Sequence, residues 1–146
     1  MIQTIVVSVM FLLLIWVSAH DIRTHKIENY VHPIIIALGF LINNLGVTER
    51  LAGALICFLP FIVSNIISGN GIGMGDVKLV TAFGFVLGWY GGLAAAIAGL
   101  ILMLLTNGIY QKIKKINKAV PLAPFLCGGF AFILIGTLFE TSYIFY

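Results

Sequence analysis

Ile2-Gln3-Thr4-Ile5-Val6-Val7-Ser8-Val9-Met10-Phe11-Leu12-Leu13-Leu14-Ile15-Trp16-Val17-Ser18-Ala19 runs uncharged until His20-Asp21 closes it. A helix needs about 17 to 25 residues to cross the hydrocarbon core of a bilayer, and this stretch lies in that range. Val17-Ser18-Ala19 is similar to the small-residue cleavage site of a secretory signal. Met1-Ile2-Gln3-Thr4 has no basic side chain, however, and further blocks just as apolar follow, so the stretch reads as a retained first helix.

Outward from it, charges and turn residues mark apolar blocks at 30–45, 51–68, 77–89, 93–110 and 120–139. The second and fourth blocks are short for a span. The connectors are 20–29, 43–50, 69–76, a tight turn near 90–92, and 111–119, with no linker or low-complexity tract between blocks. The pattern predicts an all-α polytopic membrane bundle of about six transmembrane helices, with four, five or seven as alternatives, in a single membrane-embedded domain over residues 1–146. Composition agrees: 61% of residues are hydrophobic and 9% charged, where a soluble domain carries about a quarter charged. The mean hydropathy is +1.13.

The net charge of +3 matters through its distribution. Of the basic residues, Arg23, Lys26, Lys78, Lys112, Lys114, Lys115 and Lys118 lie in or beside the first, third and fifth connectors, and Arg50 lies opposite. The excess of Lys and Arg assigns those connectors to the cytoplasm and both termini to the outside, in a cell membrane protein. Trp89, Tyr90, Tyr143 and Tyr146 then fall at the outer interface, where amphipathic rings are favoured. No basic run is interleaved with aromatics on a soluble face, so nucleic acid is not an expected partner. The run Lys112–Lys118 fixes topology and meets anionic lipid.

Gly84, Gly88 and Gly92 recur at every fourth position, which lets a neighbouring helix approach closely. Pro60 predicts a kink in the third helix, and Pro121 and Pro124 suit the first turn of the sixth. Cys57 and Cys127 sit in apolar runs without a CxxC pair and read as packing residues.

The acidic residues are Asp21, Glu28, Glu49, Asp76 and Glu140. Asp21 and Asp76 stand at the membrane boundary on the same predicted side, at opposite ends of different helices. Two carboxyl groups sharing one proton supply both the base that activates water and the acid that protonates a leaving amine, because like charges a few ångströms apart push their pKa values apart. The structural alternatives are that Asp76 caps the fourth helix and that Asp21, at an unfavourable helix C-terminus, is balanced by Arg23 and Lys26.

Gly69-Asn70-Gly71-Ile72-Gly73-Met74-Gly75-Asp76 reads either as a flexible turn or as a loop that lets a substrate backbone come close to Asp76. No GK[ST] follows, which argues against a phosphate loop. Lys78 cannot face Asp76 on a regular helix; it snorkels to the interface or helps orient the site. His20, His25 and His32 lack the spacing of a helical zinc pair, so neither a metal nor another cofactor is expected.

These residues resemble the prepilin peptidases, or type IV leader peptidases. Members share an aspartate followed by a basic residue and I-P-N, here Asp21-Ile22-Arg23-Thr24-His25-Lys26-Ile27-Glu28-Asn29. They share GxGDxK, here Gly73-Met74-Gly75-Asp76-Val77-Lys78, and a Pro-Phe element opening the last helix, here Pro121-Leu122-Ala123-Pro124-Phe125. The resemblance implies a metal-independent aspartyl peptidase with Asp21 and Asp76 as its dyad, supported by Gly73, Gly75, Lys78, Arg23 and Asn29. It implies prepilin or pseudopilin precursors as partners, a short leader followed by an apolar helix, cleaved on the cytoplasmic side. Glu28 stands where the family usually has proline. The larger members carry a CxxC-bearing methylating part that this sequence lacks, so a small stand-alone form without methyltransferase activity is expected. Readings of other classes are a small ion-coupled transporter using the two aspartates, and a non-catalytic pilus-assembly subunit. A presenilin-like GxGD protease is a related enzyme reading.

Overall fold

A computed structural model describes residues 2–24, 27–42, 45–67, 69, 73–114 and 121–144. The described elements are all helical: α1 (Ile2–Thr24), α2 (Val31–Ile42), α3 (Val47–Ile67), α4 (Met74–Lys114) and α5 (Ala123–Ile144).

Each helix turns one stripe inward. On α1 the stripe is Val6, Met10, Leu14, Val17 and Asp21, at the three- and four-residue spacing of one helical face. Ile5, Leu12, Ile15 and Ile22 point outward. On α3 the buried residues are Arg50, Gly53, Cys57, Phe61 and Asn65, while Leu51, Leu55, Leu59, Val63 and Ile66 face out. Apolar residues on both faces are the mark of a helix set in lipid or deep in a large core. The described chain is too small to offer the second. Three segments, Ile5–Thr24, Val47–Ile67 and Met74–Thr106, are long and apolar enough to cross a membrane. The protein is a helical membrane protein.

The fourth and fifth predicted blocks form the single element α4. At 41 residues, a straight helix would be about 60 Å long, twice the roughly 30 Å hydrocarbon core. It is not straight. Gly88 leaves helical geometry at φ 74° and ψ −177°, a conformation open only to glycine at low cost. The chain then doubles back: a Cβ added to Gly92 would lie 2.6 Å from the Gly84 Cα, residues two turns apart on a continuous helix. The reversal therefore sits at Gly88 rather than at the predicted 90–92 turn. Trp89 and Tyr90 already belong to the second arm, both exposed.

α4 packs against α2, α3 and α5, and α1 against α2 and α5. Glycines set the closest approaches. A Cβ on Gly53 would strike the Gly84 carbonyl, and one on Gly84 would lie 2.8 Å from Cys57 Sγ, so α3 and the first arm of α4 touch backbone to backbone. A Cβ on Gly129 would meet Gly99 N at 2.6 Å, joining α5 to the second arm. Phe83 and Phe130 stack at 4.1 Å between ring centroids in the middle of the core. α3 continues through Pro60, and Pro124 takes the first turn of α5 as predicted.

Arg50 is only 2% exposed. Its Nε donates to the Leu45 carbonyl at 3.2 Å and an Nη to the Gly39 carbonyl at 3.3 Å. The guanidinium lies 4.7 Å from the Phe40 ring centroid and 5.7 Å from that of Phe85. The residue thus closes the C-terminal end of α2 against α3 and α4, satisfying a carbonyl in the last turn of α2 and one in the connector that follows it.

Candidate active site

The first helix runs on to Thr24, so Asp21 belongs to its last turn, not to the connector. Its side chain is turned into the bundle and 5% exposed. A carboxylate there opposes the dipole of its own helix. Of the two basic residues expected to balance it, Arg23 is exposed and Lys26 lies outside the described residues. The Ala123 backbone N–H, first in α5, donates to Asp21 Oδ2 at 3.3 Å. The positive end of α5 thus faces the carboxylate that α1 would repel.

Asp76 is the third residue of α4, not its cap. The Gly73 carbonyl accepts from the Asp76 and Val77 N–H groups at 3.0 and 3.2 Å, which places Gly73 at the cap position. A side chain at either glycine of the motif would crowd a neighbouring side chain. A Cβ on Gly73 would lie 3.1 Å from Asp76 Oδ2, and one on Gly75 would lie 3.1 Å from the Ile27 Cβ. Asp76 Oδ1 is buried and has no hydrogen-bond partner among the described residues, which is costly unless a proton, water or substrate group completes it.

Asp21 and Asp76 meet at one cavity of about 320 Å³, lined also by Ile27, Glu28, Asn29, Gly73, Met74 and Gly75. The two carboxyls are close enough for the charge of one to act on the other. Lys78 does not line this cavity. It lines a neighbouring pocket with His32, and its Nζ donates to Asn29 Oδ1 at 3.1 Å. That bond joins the Asp21-to-Asn29 segment to GxGDxK and gives Asn29 and Lys78 a shared task.

Two residues carry more than the sequence suggested. Glu28, a departure from the family pattern, brings a third carboxylate to the cavity and lies 3.8 Å from His20 Nε2. His20 in turn stacks on Trp16 at 5.2 Å. His32 is 7% exposed and sits behind the GxGD turn, with Nε2 3.2 Å from the Gly75 carbonyl and Nδ1 3.3 Å from that of Asn29. Its position three residues beyond Asn29 was the one available signal.

Cys57 and Cys127 are buried and free. His25, Asn70, Gly71, Ile72, Lys115, Lys118 and Tyr146 lie outside the described residues, as do the side chains of Lys112, Lys114, Glu140 and Tyr143.

A profile of the type IV leader peptidase family matches residues 8–109, more than half of the chain, a range that contains both aspartates. No curated protein matches the chain, and no solved structure does.

Proposed function

We propose that this chain, which belongs to the type IV leader peptidase family, is a membrane aspartyl endopeptidase that removes the short leader from prepilin-like precursors. Family membership indicates a protease and supports leader peptides as its substrates. The observation that supports the aspartyl assignment is the convergence of Asp21 and Asp76, from distant helices, on one cavity where Asp76 Oδ1 is buried and unpartnered among the described residues.

With one proton between them, the ionised carboxyl takes a proton from water as its oxygen attacks the scissile carbonyl carbon. The protonated carboxyl delivers its proton to the leaving nitrogen as the C–N bond breaks. One water is consumed, a carboxylic acid and an amine are released, and the dyad ends with the single proton it began with. Gly73, Gly75, Asn29 and Lys78 position this pair rather than react, and Arg23 is left at the exposed end of α1.

The topology follows the same reading. With the two arms of α4 counted separately, six spans place both termini outside and the dyad at the cytoplasmic face of the cell membrane, the side that the Lys and Arg excess selects. Residues 1–146 form one peptidase domain.

The test is co-expression with pilin precursors encoded near the gene, leader removal being read by mass. Wild type is expected to cleave after the leader, while Asp21→Asn and Asp76→Asn accumulate in the membrane and leave the precursor intact. Cleavage at the wild-type rate by either variant would remove that residue from the dyad.

A further inference from the structure

His32 stands behind the candidate dyad, and no step of the proposed hydrolysis uses it. It occupies the first turn of α2, where the Val31 N–H donates to the Glu28 carbonyl at 3.1 Å and closes the turn that carries Asn29. The ring is nearly enclosed, and its nitrogens look in two directions. Nδ1 faces the carbonyl of Asn29 in its own turn at 3.3 Å; Nε2 crosses to the carbonyl of Gly75, the residue before Asp76, at 3.2 Å. Carbonyl oxygens only accept, so each contact requires an N–H on the ring; a neutral ring keeps one and a doubly protonated ring keeps both.

Asn29 is held from a second side, where Lys78 Nζ donates to its Oδ1. Lys78, Asn29, His32 and Gly75 therefore form a continuous polar brace. It runs from one side of the first turn of α4, through the segment that follows Asp21, back to the peptide that carries Asp76. Ile27 also packs close to Gly75, where an added Cβ would lie 3.1 Å from the Ile27 Cβ.

We infer that His32 is a positioning residue for the peptidase: its Nε2–H holds the Gly75 carbonyl and thereby sets Asp76 at the distance from Asp21 that a shared proton requires. It touches no reacting atom. Reaction geometry is sensitive to displacement, a shift of about 1 Å costing up to a hundredfold in rate. Removing the brace should therefore lower kcat and leave substrate binding nearly unchanged. The inference rests on the peptidase reading, and its test separates the two.

Glutamine places an amide nitrogen where Nε2 stands and asparagine places one where Nδ1 stands. His32→Gln thus keeps the bond to Gly75 and loses the local one, and His32→Asn does the reverse. Leader cleavage should fall about tenfold to a hundredfold in kcat for His32→Asn and His32→Leu with KM little changed, while His32→Gln stays near wild type. Equal rates in the glutamine and asparagine variants, or a loss confined to KM, would overturn the brace; the comparison of these two polar variants stands even if the leucine variant does not accumulate.

A second readout needs no activity. In a Cys57→Ala, Cys127→Ala background, Asp21→Cys and Asp76→Cys are joined with a short bifunctional thiol reagent. The yield should drop when His32→Asn is added and hold with His32→Gln. If wild type cleaves no precursor, the peptidase reading fails and this yield still decides the brace; a yield indifferent to position 32 rejects it.

Discussion

At the scale of the residue, the charge on Asp21 is tolerated because a second helix begins in front of it. The Ala123 N–H donates to its carboxylate, while Arg23 on its own helix is turned outward. Asp76 has the opposite environment, with one carboxyl oxygen buried and unpartnered among the described residues. A pair that works with one proton loses activity when both groups are protonated and again when both are ionised. The pH profile of kcat/KM should therefore be bell-shaped, its two limbs belonging to the pair rather than to either residue. Glu28→Gln should keep both limbs, since Glu28 is half-exposed at the cavity and outside the pair; disappearance of a limb in that variant would bring Glu28 into the chemistry. Gly75→Ala is a sharper probe. Its Cβ would crowd Ile27 at 3.1 Å and shift the start of α4, so kcat should drop about tenfold or more in the cleavage assay.

At the scale of the element, α4 makes the architecture possible by breaking. Gly88→Ala forces a side chain into a positive-φ conformation, which costs about 1 to 3 kcal/mol. The expected result is a lower thermal midpoint in detergent, with the dyad and its pH profile unaltered because the reversal is remote from the cavity. Gly84→Leu should be far more damaging, since the added atoms would collide with the α3 backbone. Arg50 works at the same scale. Arg50→Gln removes a charged donor from the Gly39 and Leu45 carbonyls, and hydrogen bonds to charged groups contribute about 1.5 to 3 kcal/mol each. A loss of about that size in reversible denaturation is expected, without loss of catalytic rate per folded molecule.

At the scale of the whole molecule, the proposed orientation makes a prediction that any membrane-impermeant thiol reagent can check. In a chain freed of Cys57 and Cys127, Arg23→Cys should be labelled only from the cytoplasmic side and Thr48→Cys only from outside. Both residues are exposed, on segments that the basic residues assign to opposite faces. Labelling of both from one side would remove the basis for placing the dyad at the cytoplasmic face.

The amino-acid sequence by itself determined that lipid surrounds the chain, where most apolar blocks begin and end, and which two aspartates are worth comparing. These follow from composition, from block length and from short motifs, all of which are local properties of a chain read in one dimension. Tertiary structure alone decided how the fourth and fifth blocks join, because a reversal at Gly88 rather than two residues later depends on which glycine can adopt positive φ while Gly84 and Gly92 close on each other. It alone decided that α5 rather than Arg23 faces Asp21, that Arg50 is enclosed, and that His32 reaches Gly75. Each of these is a contact between residues far apart along the chain, and its energy depends on distance and burial that exist only once the helices are packed.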